Sequence, residues 1–192
     1  MMRYCLFILL MTCALRSAAQ PQSISYRNHQ LWIDRTELAP DMPQTFLDSV
    51  FRSKSRTGVI IATKDDMLGY VDGEKERVYQ YLQIGISYYR QLRFPEKFRL
   101  AVRLAYEPSD LSWQKDTSLV FSGKLKLGDR YIDRNTTTEQ LLTDPMFRLE
   151  KSGDFNSRKT ARTYAILRYG DTTIRLLLNS VNHTIDLVEF FN

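Results

Sequence analysis

Two alternating runs separated by a proline turn constrain this chain more than any other feature. From Val78 to Tyr89 the sequence reads VYQYLQIGISYY, and from Phe98 to Tyr106 it reads FRLAVRLAY. Successive side chains of a strand point to opposite faces, so a period of two marks each run as β. In the first run Val78, Leu82, Ile84, Ile86 and Tyr88 share one face, and Tyr79, Tyr81, Gln83, Ser87 and Tyr89 share the other. In the second, Phe98, Leu100, Val102, Leu104 and Tyr106 form the apolar face, and Arg99, Ala101, Arg103 and Ala105 the opposite one. Phe94-Pro95-Glu96-Lys97 supplies the connection. With the apolar faces on a core, the remaining face carries tyrosine, glutamine, arginine and small residues. Tyrosine and arginine dominate binding hot spots because each covers apolar area while keeping directed polar contacts. Tyr79, Tyr81, Gln83, Tyr89, Arg99 and Arg103 are therefore the candidate binding residues.

The first twenty residues read as a leader. Arg3 gives a positive start, Tyr4 to Leu15 an apolar run, and Ser17-Ala18-Ala19 the small residues a signal peptidase needs, so cleavage is predicted after Ala19 or Gln20. The apolar run falls short of the roughly 20 residues of a retained span. Lipid anchoring at Cys13 is the less favoured alternative, because Thr12 is large for the position before a lipidated cysteine. Both cysteines of the chain, Cys5 and Cys13, lie in this leader, which excludes disulfides and cysteine metal sites from the mature protein. The net charge of +5 includes Arg3 and Arg16 of the leader. The remaining excess is mild and interspersed with acids, which argues against nucleic acid as a partner.

Along the chain, Ser23 to Ile33 reads as a hairpin turning at Arg27-Asn28-His29. A helix follows, with Asp41 placed to cap it, Pro43 in its first turn, and Phe46, Leu47, Val50 and Phe51 at helical spacing. Val59-Ile60-Ile61-Ala62 reads as a short buried strand, and Asp65 to Glu76 as an acidic loop. Residues 108–118 are the predicted linker. Beyond it the order restarts: Ile132-Asp133-Arg134 repeats Ile33-Asp34-Arg35, a threonine-rich helix start follows at Asn135 to Thr138, and Phe147-Arg148 echoes Phe51-Arg52. A basic polar loop from Lys151 to Arg162 precedes strands at Tyr164 to Tyr169, Thr172 to Leu178 and Thr184 to Phe191. The predicted architecture is α+β: a leader at 1–20 and two similar halves, 21–107 and 119–192, each a mainly antiparallel sheet with one helix packed on it.

In element order, a leader followed by duplicated helix-and-sheet units resembles the secreted β-lactamase inhibitor proteins, and one unit is similar in outline to envelope-assembly lipoproteins of the BamE type. Those families place two helices before the sheet, whereas this chain places a hairpin before one helix. No residue role is carried over. The resemblance implies that such units bind proteins.

Catalytic signals are weak. His29 and His183 each sit in a predicted turn beside asparagine, without a metal-type partner at helical spacing. No zinc-protease, nucleophile-elbow or phosphate-cradling motif occurs. Asp65, Asp66, Asp72, Glu74 and Glu76 form an acidic stretch whose spacing does not match a calcium loop. Asp34 and Asp133 read as turn-closing residues. The sequence thus points to an exported, non-enzymatic protein of the periplasm or medium that engages another protein, with no cofactor or metal expected. The alternatives are a structural envelope component, or a hydrolase of envelope sugars using Asp66 and Glu74.

Overall fold

A computed structural model describes residues 21–61, 74–105, 120–156, 161–179 and 181–191. The leader and the predicted linker lie outside them. The described chain is mostly β, and its strands form two sheets.

The smaller sheet is built from β1 (Ser23–Arg27), β2 (Gln30–Ile33), β3 (Thr36–Glu37), β8 (Lys124–Leu127) and β9 (Arg130–Ile132). Its order is β3-β2-β1-β8-β9, with β1 and β8 side by side and parallel. Its three hairpins, β1–β2, β2–β3 and β8–β9, each turn on two residues. Asn28 and His29 both adopt positive φ, at 51° and 63°, which is the primed turn whose twist matches its flanking strands. Asp34 also has a positive φ, and its Oδ1 accepts from the backbone N–H of Gln22 and Ser23, tying the start of β1 to the end of β2. Asp133 instead closes its own turn ahead of the second helix, accepting from the Asn135 N–H and the Thr136 hydroxyl.

The larger sheet holds β4 (Arg56–Ile61), β5 (Lys75–Tyr81), β6 (Ile86–Gln91), β7 (Phe98–Arg103), β10 (Phe147–Asn156), β11 (Ala161–Tyr169), β12 (Thr172–Leu178) and β13 (Ile185–Phe191). Two four-strand meanders meet edge to edge at β7 and β13, giving the order β10-β11-β12-β13-β7-β6-β5-β4. Its inner face packs against the smaller sheet. Ile24, Leu31, Ile33, Leu125 and Leu127 from one side join Ile86, Leu100, Val102, Leu176 and Val188 from the other in a single core.

The expected pair of α+β halves is overturned. Each sheet takes strands from both ends of the chain, and helix α1 (Gln44–Val50) and helix α2 (Thr138–Leu142) have seven and five residues. At 1.5 Å per residue they are about 7–11 Å long, enough to cross only about two strands spaced near 4.8 Å, so neither is able to cover a sheet face. Helix α1 plugs the core with Leu47 and Phe51, the latter 4.5 Å from the Tyr81 ring. Its N-cap is Pro43, without a side-chain cap, so Asp41 does not serve as expected. Helix α2 has a complete capping box between Thr137 and Gln140.

Two further expectations change. Val59 to Ala62 was expected to be buried, but β4 is an edge strand, with Val59 55% and Ile61 59% exposed. The stretch from Lys151 continues β10 as far as Asn156 rather than opening into a loop, because it pairs with β11 along its length, with one bulge between Leu149 and Lys151.

Candidate functional site

The run from Val78 to Tyr89 is a hairpin, not one strand. Leu82-Gln83-Ile84 form a single 3-10 turn closed by Gly85, whose φ of 67° is left-handed and costs glycine nothing. The reversal pairs Tyr81 with Ile86 and Tyr79 with Tyr88. Cross-strand partners share a face, so Tyr79 and Tyr81 lie on the core side with Ile86 and Tyr88, while Val78, Gln80, Ser87 and Tyr89 face outwards.

The six candidate residues are consequently divided. Tyr79 and Tyr81 are core side chains, 4% and 0% exposed. Tyr79 packs on Tyr88, which stacks on Phe98 and donates from its hydroxyl to the carbonyls of Ala39 and Pro40. Burial and then the nearby Asp48 carboxylate push the Tyr81 phenol well above its ordinary value, so it stays neutral. Gln83 is exposed in the turn, where its side-chain oxygen accepts from the Ser53 hydroxyl. Tyr89, Arg99 and Arg103 remain together on the outer face.

Strand registers arrange that face in rows. One row runs Gln80, Ser87, Ala101, Glu189, Arg175 across β5, β6, β7, β13 and β12. The next runs Val78, Tyr89, Arg99, Phe191. From the second row Arg99 forks to two strands: Nη1 donates to Glu189 Oε1 at 2.7 Å, and Nη2 to Glu76 Oε2 at 2.8 Å. The Arg99 guanidinium lies 3.8 Å from the centre of the Tyr89 ring, and Arg175 Nε donates to the other Glu189 oxygen. Sequence reasoning placed Glu76 in a solvated loop and passed over Glu189 and Arg175. The signal was available in outline, since two acids and two arginines occupy alternating positions within apolar strands.

These side chains are nearly dry, with Arg99, Glu76 and Glu189 exposing 6%, 2% and 4% of their side-chain surface. Unpaired, each buried charge would cost several kcal/mol. Two cations and two anions here compensate one another. Burial alone would raise the Glu189 carboxyl, but Arg175 and Arg99 outweigh it and hold it below the usual carboxylate range. Burial likewise works against the Arg99 charge, and Glu189, Tyr89 and Glu76 more than restore it. The network is thus a neutral, fixed floor rather than a free charge.

Beside it the face dips. Ser87, Ala101 and Gly85 are small, and around them Gln80, Tyr89, Arg103, Leu187 and Glu189 rise to enclose a hollow of about 140 Å³. Small-molecule sites usually span about 300–1,000 Å³, so this one is sized for a single side chain or a small polar group. A larger, shallower cleft of about 740 Å³ lies between β1, β2 and α1, where Asp34 is already engaged by Arg52 and by the backbone of β1.

Among the described residues, no group of three or more His, Cys, Asp or Glu side chains is placed to hold a metal ion. Asp66 lies outside the described residues. His29 and His183 both occupy turns at positive φ. Among the described residues no helix is long and apolar enough to cross a membrane. No family model matches this chain, and neither a curated protein nor a solved structure is significantly similar to it.

Proposed function

We propose that this is an exported, non-enzymatic binding protein whose outer sheet face receives a projecting side chain of another protein in the envelope or medium. The observation that carries the reading is the hollow over Ser87 and Ala101, walled by Tyr89, Arg103 and Glu189, the last of them held in the adjoining Arg99 charge network. A binding knob needs a socket whose walls do not rearrange. Here Tyr89 is pinned by Arg99, and Arg99 is pinned on both sides by carboxylates. Restricting side chains before association reduces the ordering cost on binding. The socket is too small for a drug-sized ligand and suits one anchor residue of a larger interface.

The test is affinity capture from envelope and secreted fractions with the tagged chain beginning at Pro21, alongside Ser87→Leu and Tyr89→Ala. Ser87 is half-buried on the outer face, so leucine there fills the socket without entering the core. A partner retained by the parent chain and lost from both variants, with thermal unfolding unchanged for Ser87→Leu, is the expected result. Equal capture by the parent and Ser87→Leu would remove the socket from the interface.

A further inference from the structure

The broad cleft between β1, β2 and α1 is lined by three cations, Arg35, Arg52 and Lys124, and by a single carboxylate, Asp34. That carboxylate is engaged at both oxygens. Oδ1 accepts from the backbone N–H of Gln22 and Ser23 and from the Ser23 hydroxyl, and Oδ2 accepts from Arg52 at 3.3 Å. Arg52 is thereby held against Asp34, and the cleft keeps the charge of Arg35 and Lys124. Both are exposed, Arg35 in the turn after β2 and Lys124 at the start of β8, and neither pairs with a carboxylate among the described residues.

The described acids nearest to the cleft are turned elsewhere. Asp133 follows Ile132, the partner of Leu125, and so stands beside Lys124, but its Oδ1 accepts from the Asn135 N–H and the Thr136 hydroxyl. Asp48 on α1 accepts from the N–H and hydroxyl of Ser55, and Glu37 lines a separate small hollow with Tyr26 and His29. The described chain running into the cleft, Pro21 to Ser23 and Val120 to Gly123, contains no acid. The helix wall is apolar: Phe46 is 43% exposed and Val50 half-buried, with the buried Ile33 also in the lining.

At about 740 Å³ the cleft falls within the usual range of about 300–1,000 Å³ for small-molecule sites. We propose that it binds a small, freely diffusing amphiphilic anion: a molecule whose carboxylate, sulfate or phosphate group meets Arg35 and Lys124 and whose aliphatic or aromatic body covers Phe46 and Val50. Charge-assisted hydrogen bonds hold the anionic group, and the exposed phenyl ring gives the body apolar surface to bury. Lys124 lies beside Ser23, and Ser23 beside Asp34, so the backbones that carry the two cations are about two strand spacings apart, near 10 Å. Two long side chains close that span around one anionic group. Two such cations fall short of the roughly four to eight of a membrane-attaching basic patch, so the expected occupant is a single molecule and not a lipid surface.

This cleft shares no lining residue with the outer-face socket, and its test is independent of it. The probes are octanoate, acetate and octylammonium, titrated at constant ionic strength into the chain beginning at Pro21 and followed by backbone amide NMR. The expected result is saturable binding of octanoate, at least about tenfold tighter than acetate, because burying two methylenes is worth about that factor. Octanoate is likewise expected to bind at least about tenfold tighter than octylammonium, with that gap closing as salt rises. Shifts are expected at Ser23, Phe46, Ser49, Val50 and Lys124. Arg35→Gln combined with Lys124→Gln is expected to weaken octanoate binding at least about tenfold and to leave thermal unfolding unchanged, both side chains being exposed. That variant keeps the terminal amine at Pro21, so the comparison measures the two side chains alone. Ser87→Leu is expected to bind octanoate as the parent does, which separates this proposal from the socket. Absence of saturable octanoate binding, equal binding of octanoate and either other probe, shifts centred outside the cleft, undiminished binding by the double variant, or attachment to phosphatidylglycerol vesicles without binding of free octanoate would each overturn it.

Discussion

Arg99 on β7 reaches Glu189 on β13 at 2.7 Å across the seam that joins the two meanders of the large sheet, and its second arm holds Glu76 at 2.8 Å on β5. A single guanidinium thereby links three strands whose glutamates stand far apart in the chain. Its geometry has the fork shape that lysine lacks.

Removing that cation is predicted to be costly. Arg99→Met leaves Glu76 buried without its partner and Glu189 with Arg175 alone. The expected loss is about 3–5 kcal/mol, the usual result of stranding a buried charge. Adding Glu76→Gln to Arg99→Met removes one stranded charge and is expected to recover part of that loss. Denaturant unfolding of the single and double variants measures both quantities. A loss below about 1 kcal/mol for the single variant would mean that the network is hydrated.

Acid is predicted to weaken the same seam. Because the folded-state pKa of Glu189 lies below its ordinary value of 4.5, its stabilising contribution is complete above that value and disappears as pH falls from there through the depressed folded value. Thermal unfolding followed from about pH 7 down to about pH 3 is the measurement. Glu189→Gln is expected to be less stable than the parent at neutral pH and to show a shallower decline in acid. Parallel curves would contradict the assignment.

Gly85 closes the turn that decides which tyrosines face outwards. Gly85→Ala places a Cβ at a φ of 67° and is expected to cost about 1–2 kcal/mol. Asparagine tolerates this region better than alanine, so Gly85→Asn is expected to cost less. Chemical denaturation that ranks the two variants in the opposite order would argue against a left-handed turn.

The two helix starts are expected to respond differently. Thr137→Ala removes one half of the capping box and is predicted to cost about 1 kcal/mol. Asp41→Ala is predicted to be near neutral, because α1 begins at Pro43 without a side-chain cap. Equal losses at the two sites, measured by thermal unfolding, would show that Asp41 caps after all.

Much of the strand pattern was legible. The hairpin turn at Asn28-His29, the turns beginning at Gly128 and Gly170, and strands β11, β12 and β13 all carry local punctuation. The second alternating run was also read correctly, with Phe98, Leu100, Val102 and Leu104 in the core and Arg99 and Arg103 opposite. The first run was misread at Gly85. Alternation continued on both sides of the turn, so the reversal was invisible to a period-two pattern, and the face assigned to Tyr79 and Tyr81 was the wrong one. Treating Gly85 inside an alternating run as a possible reversal would have moved both tyrosines to the core.

The sequence alone therefore determined the turns at Asn28-His29, Gly128 and Gly170, strands β11 to β13 and the parity of β7, because backbone torsion preferences and side-chain alternation act between near neighbours. Tertiary structure decided that Glu76, Arg99, Glu189 and Arg175 converge, that both sheets draw strands from each end of the chain, and that β4 is an edge. Each of these depends on which strand lies beside which. Alternation is the same for any partner, so strand order is settled only when the apolar faces of both sheets close on one core and the buried charges find opposite charges across the β7–β13 seam.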